Sequence, residues 1–348
     1  MEAQKIGYET VVKYVPETII KQSDFAYLDD LVAELPDHAR KLFAPEVLPD
    51  EVRALKDKDA TEIMAVGAAR KALEASGLQP SDIDFIIASN CGGKQLMPMV
   101  GTHIHHALGF NVDTPVLNVM DACAGFLDAS NVAWSLVKSG AYKRVLIVVA
   151  TSQFADEGQR VDRTTPLAKV FGDGAGAAIV SGENLKCEFL AYHHETYGNA
   201  YQSGFQTIKE LENPHLAEKA GVEVKAGAYF SLGDFSMVEK LDTEELLVDS
   251  LRKTLPKAGL ELSDVDMVIA HHIGAESSKW IKGLVDAGVN DHVYQNLLKK
   301  YGNMAVADLA VDLAEFWEEG RLSNGSIVAL WVPASGIQMP TLILRWLV

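Results

Sequence analysis

A thiol, an imidazole and an amide stand at three strand-to-helix junctions of this chain: Cys123, His271 and Asn303. Cys123 lies in Asn118-Val119-Met120-Asp121-Ala122-Cys123-Ala124-Gly125-Phe126, which predicts a short apolar strand, a tight turn of small residues and a helix to about Lys138. A thiol at a helix head faces unpaired backbone N–H groups and the positive end of the helix dipole. Both favour the thiolate, which is the nucleophile. Ala122, Ala124 and Gly125 leave a substrate room to reach the sulfur. The plainer reading of such a cysteine is a small buried hydrophobe, and its two partners argue against that. His271 ends the apolar strand 265–270 at the C-terminal edge, where α/β sites lie. Asn303 follows Gly302 at the start of another helix. Together the three groups offer acyl transfer. The sulfur takes an acyl group, and the ring and amide N–H groups hold a developing enolate oxygen.

The elements that position these groups come from a duplication. Residues 69–90 (ARKALEASGLQPSDIDFIIASN) align with 251–272 (LRKTLPKAGLELSDVDMVIAHH) at an offset of 182, with ten of 22 positions identical. Each copy reads as a helix, a glycine stop, a polar turn and a strand. The helices are expected to begin near Asp59 or Thr61 and near Asp242 or Thr243. A fainter repeat follows: Cys123, helix 124–138, Gly140 and strand 145–150 against Asn303, helix 304–319, Gly320 and strand 327–332. Gly140 and Gly320 are 180 apart, as are Cys123 and Asn303, so the two side chains are expected at matching helix heads. The reading is two α/β halves, 1–182 with the nucleophile and 183–348 with the histidine and asparagine. Insertions at about 21–58 and 196–235 would cap the core and shape a channel.

Composition narrows the classes. With 48 acidic against 31 basic residues the net charge is −17, which speaks against nucleic acid as a partner. No run of 18 uncharged apolar residues predicts a membrane span, and Met1–Lys5 does not open a signal peptide. Three unpaired cysteines, Cys91, Cys123 and Cys187, fit a reducing cytoplasm and neither a disulfide framework nor a zinc site. His103, His105 and His106, and His193-His194-Glu195, lack the spacing of a metal helix. Gly172-Asp173-Gly174-Ala175-Gly176 touches a dinucleotide-binding pattern, but a strand follows where that motif needs a helix. His272 would face away from His271 and support it.

On these motifs the chain resembles the thiolase superfamily, and within it β-ketoacyl-acyl-carrier-protein synthase III and related type III ketosynthases, over about residues 60–348. Asp121–Phe126 resembles the family's nucleophile motif, and Asp162-Arg163-Thr164 with Phe171–Ala178 its next block. Asp266–His271 and Tyr301-Gly302-Asn303 match the segments carrying the catalytic His and Asn, and Ala334-Ser335-Gly336 the final glycine turn. The resemblance implies a five-layered αβαβα fold, usually as a homodimer, and a ping-pong reaction without a resident cofactor. An acyl group would pass from CoA to Cys123. A malonyl-type thioester, on CoA or a carrier protein, would then be decarboxylated and condensed. His271 and Asn303 would hold the enolate, and the N–H groups of Cys123 and Ser335 the acyl oxyanion. Arg163 and Gly336 would contact substrate, and Met97 would reach into a partner's acyl pocket.

Departures from the family pattern point to altered donor recognition and a specialised acyl or natural-product pathway. His271-His272-Ile273-Gly274 replaces His-Gln-Ala-Asn, Glu276 stands where a basic CoA contact is common, and the N-terminal nucleotide-gripping segment is missing from 21–58. Ser89–Ala107 contains no carboxylate that could act as the base of a non-decarboxylating relative. Carrier-protein docking would need a local basic patch, at Lys138, Lys143 and Arg144 or at Lys253 and Lys257. Two other readings stay open. One is an acyltransferase making an ester or amide without releasing CO₂. The other is a partner subunit of a heteromeric synthase, against which the presence of Cys123, His271 and Asn303 argues.

Overall fold

A computed structural model describes residues 4–234, 236–238 and 240–347. Residues 1–3 and 348, at the outer limits of the two expected halves, and Phe235, the last residue of the second expected insertion, lie outside the described residues. The strands are β1 (Gly7–Tyr14), β2 (Ile19–Lys21), β3 (Glu51–Arg53), β4 (Phe85–Cys91), β5 (Val116–Asn118), β6 (Val145–Thr151) and β7 (Gly174–Ser181). They continue with β8 (Cys187–Thr196), β9 (Gly204–Lys209), β10 (Gly227–Leu232), β11 (Met267–Ala270), β12 (Tyr294–Gln295), β13 (Ile327–Trp331) and β14 (Gln338–Trp346).

Two five-stranded sheets share one plan. The first runs β1-β7-β6-β4-β5 and the second β8-β14-β13-β11-β12. In each, the first three strands pair antiparallel and the last three parallel. Helices Gly125–Lys138 and Asp308–Glu318 fill the layer between the sheets, in one core with residues of both. Helices Ala60–Ser76 and Val100–Leu108 cover the outer face of the first sheet, and Leu246–Thr254 and Gly274–Asp286 that of the second. The result is a five-layered αβαβα fold.

Local chemistry explains the plan. All seven residues of β6 are buried, because helices lie on both its faces. Each fully buried Val, Leu or Ile there contributes roughly 1.5–3 kcal/mol. The repeated helix stop is literal: Gly77 and Gly259 both adopt left-handed φ, +70° and +69°, where a side chain would be strained. Asp59 occupies the N-cap position of the first repeated helix without a side-chain cap bond, and its counterpart begins at Leu246, because Asp242–Glu245 form a separate turn.

The two central helices do not match in register. Each is preceded by a 3-10 turn, Ala122–Ala124 and Ala305–Ala307, and each turn opens on an alanine at positive φ, +43° and +48°. These turns are 183 residues apart, whereas Gly140 and Gly320, past the helix ends, are 180 apart. The second helix is three residues shorter. Cys123 therefore corresponds to Val306, and Asn303 stands two residues ahead of its turn; the expected equivalence of Cys123 and Asn303 is corrected.

Glycines let these heads approach the sheet. A Cβ on Gly174 would sit 2.5 Å from Met304 Sδ, one on Gly176 2.5 Å from Ala310 Cβ, and one on Gly172 would collide with the Tyr301 carbonyl. The glycine run expected to continue as a strand does so as β7. Gly176→Val should destabilise the fold by about 1–3 kcal/mol through overpacking. Urea unfolding checks this, with a lower midpoint and unchanged slope expected.

Candidate active site

Cys123 is 8% exposed, at the head of the central helix and behind the strained Ala122. The turn survives because its neighbours over-determine it. Gly125 admits the close approach of Ser89 and of Val306, whose Cγ2 would lie 3.0 Å from an added Cβ. Asp121 is held by the Gln338 side-chain amide and by Asp128, which in turn accepts from Tyr192 and lies 3.0 Å from His194 Nδ1.

His271 is 2% exposed just past β11, and its ring meets the Cys123 sulfur. Its Nδ1 lies 2.6 Å from Asp308 Oδ2, a charge contact rather than an aligned hydrogen bond. Asp308 opens the second central helix and is fully buried. It accepts from the Met304 N–H at 2.6 Å and the His272 N–H at 3.2 Å. His272 contacts the Gly302 carbonyl at 2.7 Å and Asp312 at 2.8 Å, and its Nδ1 also lies 3.2 Å from Asp308 Oδ1, so the two histidines share that carboxylate. The expected supporting place of His272 is thus beside His271 on Asp308 rather than on an opposite face.

Asn303 is fixed by its backbone and its amide. Its N–H donates to the Val170 carbonyl at 2.9 Å, and its carbonyl accepts from Gly172 at 3.0 Å. Its Oδ1 accepts from the Ala305 N–H at 2.8 Å, and its Nδ2 donates to the His272 carbonyl at 2.8 Å and lies 3.5 Å from His271 Nε2. The Phe171–Gly176 string thus carries the asparagine loop.

The electrostatics favour an ion pair. Burial pushes the Cys123 thiol up, but the His271 imidazolium and the Arg160 guanidinium together hold it below its ordinary value. Burial opposes charge on His271 too, but the thiolate and Asp308 raise its pKa well above the usual imidazole range. Sequence reasoning missed Asp308 and Arg160. Asp308 was legible as an acid in the first turn of an expected helix, five residues after Asn303. Nothing in the local pattern marked Arg160.

The remaining expected residues disperse. Ser335 belongs to a tight turn closed by Ala334 and Gln338, with Gly336 at φ +79°. Its N–H has no protein acceptor among the described residues. Gln338 closes that turn with its backbone and holds Asp121 with its side chain, so it ties the Ser335 turn to the cysteine turn. Arg163 is 4% exposed and lines a separate cavity of about 320 Å³ with Asp156, Glu157, Glu223 and Lys225. Met97 stands on the surface, 88% exposed. Asp162 and Asp173 of the family-like block are clasps. Asp162 accepts from Thr164 and Glu212, and Asp173 from Leu55, Gln153 and Phe154. Of the basic positions considered for docking, Arg144 pairs with Glu9 and Glu183, and Lys253 with Glu195.

His271→Ala should raise the Cys123 thiol above the ordinary value of about 8.5, because burial then loses its main opponent. Alkylation by iodoacetamide, brisk at neutral pH in the wild type, should require alkaline pH in the variant. Asp308 disfavours the thiolate and favours the imidazolium, so it raises both titrations. Asp308→Asn should therefore move both limbs of a pH–reactivity profile to lower pH.

The chain's affinities agree with this geometry. Residues 117–198 match the family model for 3-oxoacyl-[acyl-carrier-protein (ACP)] synthase III, and residues 255–346 the model for its C-terminal part. A β-ketoacyl-[acyl-carrier-protein] synthase III of Listeria monocytogenes is 29% identical over 343 residues, 98% of both chains. One of Campylobacter jejuni is 26% identical over 345 residues, again 98% of each. Among solved structures, 3-oxoacyl-(acyl carrier protein) synthase III of Pseudomonas aeruginosa PAO1 superposes with a TM-score of 0.78 at 19% identity, covering 99% of each chain. An OleA variant of Xanthomonas campestris gives 0.80 at 14% identity, also covering 99% of each chain. With the matched segments spanning both the cysteine turn and the histidine–asparagine half, the chain belongs to the type III ketosynthase family of the thiolase superfamily, and is an acyltransferase of that kind.

Proposed function

We propose that this enzyme acylates Cys123 from an acyl thioester and condenses the acyl group with a malonyl-type thioester. The Cys123 thiolate attacks the donor carbonyl, and the oxyanion is held by the N–H groups of Cys123 and Ser335. The donor leaves as its thiolate, which takes a proton from solvent, so His271 keeps its Nε2 proton. The extender then loses its carboxylate as CO₂, and its enolate oxygen sits between His271 Nε2–H and Asn303 Nδ2–H. The enolate carbon attacks the acyl carbonyl, forming the C–C bond and expelling the Cys123 thiolate. The observation that carries this reading is the approach of Asn303 Nδ2 to 3.5 Å from His271 Nε2, beside a thiol whose ionised form is favoured.

Donor recognition is specialised in this proposal. The cavity beside Arg163 presents Asp156, Glu157 and Glu223 against Arg163 and Lys225, a poor mouth for a nucleotide carrying several phosphates. Glu276 is paired with Lys279 at 2.9 Å. These features support an unusual acyl or natural-product pathway. A homodimer is supported by exposed Leu96, Met97, Leu117 and Met120 around β5, which ends the first sheet. The reaction takes its thioesters as substrates and calls for no resident cofactor.

A second reading has its own observation. The Asp308 carboxylate against His271 Nδ1 suits a general base that activates an alcohol or amine toward the acyl-enzyme. That route forms an ester or amide and releases no CO₂.

Intact-protein mass spectrometry with a panel of acyl-CoAs tests the first step. We expect a single acyl adduct that Cys123→Ala abolishes. Adding malonyl-CoA or a malonyl-carrier protein should then discharge the adduct with CO₂ release. His271→Ala and Asn303→Ala should slow that step on the order of 10²–10³-fold, as loss of an oxyanion donor does. Discharge by small amines or alcohols alone would favour the second reading.

A further inference from the structure

Arg160 is a buried cation with no counter-ion among the described residues. It is 2% exposed, and no carboxylate lies within 4.0 Å of it among the described residues. Its guanidinium carbon lies 4.2 Å from the Phe230 ring centroid and 5.1 Å from that of Phe171. Its Nη1 is buried and donates to no group among the described residues. Stacking on two rings offsets part of the cost of burying the charge, but an unmade donor on a desolvated cation remains costly. Such a group is stable where an anion arrives to complete it.

The surroundings place that anion in the reaction centre. The Arg160 N–H donates to the Ser152 carbonyl at 3.1 Å, and the Ser152 N–H to the carbonyl of Cys91, the last residue of β4, at 2.9 Å. On the other side, the Phe171 backbone bridges to Asn303. Phe230 closes the third side through its N–H to the Arg160 carbonyl at 2.8 Å. Phe171 and Phe230 share one small core that both insertions join through Phe25, Leu28 and Leu216. The guanidinium charge reaches the centre, since it favours the thiolates of both Cys123 and Cys91.

We propose that Arg160 is the binding residue for a carboxylate carried on the substrate thioester, close to the reacting carbonyl. The inference rests on acylation of Cys123 proposed above and adds the substrate class. The planar guanidinium fork matches a carboxylate, and the hydrophobic walls strengthen the pair. The carboxylate has two sources. It belongs either to the malonyl-type extender before CO₂ leaves, or to the far end of a dicarboxylic acyl donor.

The test compares the wild type with Arg160→Gln and Arg160→Lys. Acylation of Cys123 is followed with butyryl-CoA and with succinyl-CoA, and decarboxylation with malonyl-CoA after butyrylation. Each rate is normalised to the iodoacetamide reactivity of Cys123, which removes the effect of Arg160 on the thiol. We expect Arg160→Gln to lower the preference for a carboxylate-bearing thioester over butyryl-CoA on the order of 10–100-fold, with Arg160→Lys between. Loss confined to malonyl-CoA assigns the extender, and loss with succinyl-CoA the donor. Equal loss for neutral and carboxylate thioesters overturns the proposal. Thermal shift by free malonate against propionate is read in parallel, without turnover. Stabilisation by malonate in the wild type, lost in Arg160→Gln, upholds the anion site even where no thioester acylates Cys123. That combination would sink the acylation reading alone. Absence of both effects overturns the anion site.

Discussion

The buried carboxylate of Asp308 is the charge on which the centre depends. An ion cannot be buried at this depth unless its lone pairs are met. Here the Met304 and His272 N–H groups meet them, and the charge of the His271 ring and the positive end of the second central helix add to the effect. The helix that fills the layer between the sheets therefore also fixes the imidazole. Histidine, asparagine loop and helix head form one unit, because Asn303 caps Ala305 while its amide reaches back to the His272 carbonyl.

That unit must lie against the cysteine turn, and small residues decide whether it can. Glycines at 172, 174 and 176 give the asparagine loop and its helix a floor without side chains, and Gly125 does the same for the facing turn. The dense glycine string is thus a packing device. The acids beside it are clasps: Asp173 joins the 51–55 segment to the loop after β6, and Asp162 joins its own loop to the 204–232 hairpin. Both insertions are tied to the 153–173 segment in this way, and Phe25 and Phe230 from them join Phe154 and Phe171 in one small core.

Much of this was legible in the chain itself. The duplication showed in glycine stops and buried apolar runs, since a left-handed helix end and a doubly covered strand each restrict residue type sharply. Cys123 and His271 were legible because each follows a strand at an expected junction, and Asn303 because Gly302 marks the start of an expected helix, although the short helix Leu298–Tyr301 and not a strand leads into it. The helix register was not. A three-residue difference leaves both glycine stops intact and alters only the heads, where small residues satisfy either alignment. Asp308 looked like an ordinary first-turn acid, and its role comes from a histidine 37 positions upstream that only folding brings to it. Arg160 was harder still, because its meaning lies in the missing counter-ion, which no sequence pattern displays.

The unequal central helices bear on how such a fold can diverge. Both halves kept the positive-φ alanine and its 3-10 turn, yet only the first turn carries a sulfur. In the second, Val306 occupies the equivalent place, and its backbone N–H lies against the Cys91 sulfur at the end of β4. The idle turn has become a brace for its twin. The halves have consequently ceased to be modules: exchanging one for the other would set a longer helix against a sheet fitted to the shorter one, and would remove the strut with the same cut. Ancestral symmetry survives in the strand order, while heredity of function runs through the one turn by which the copies differ.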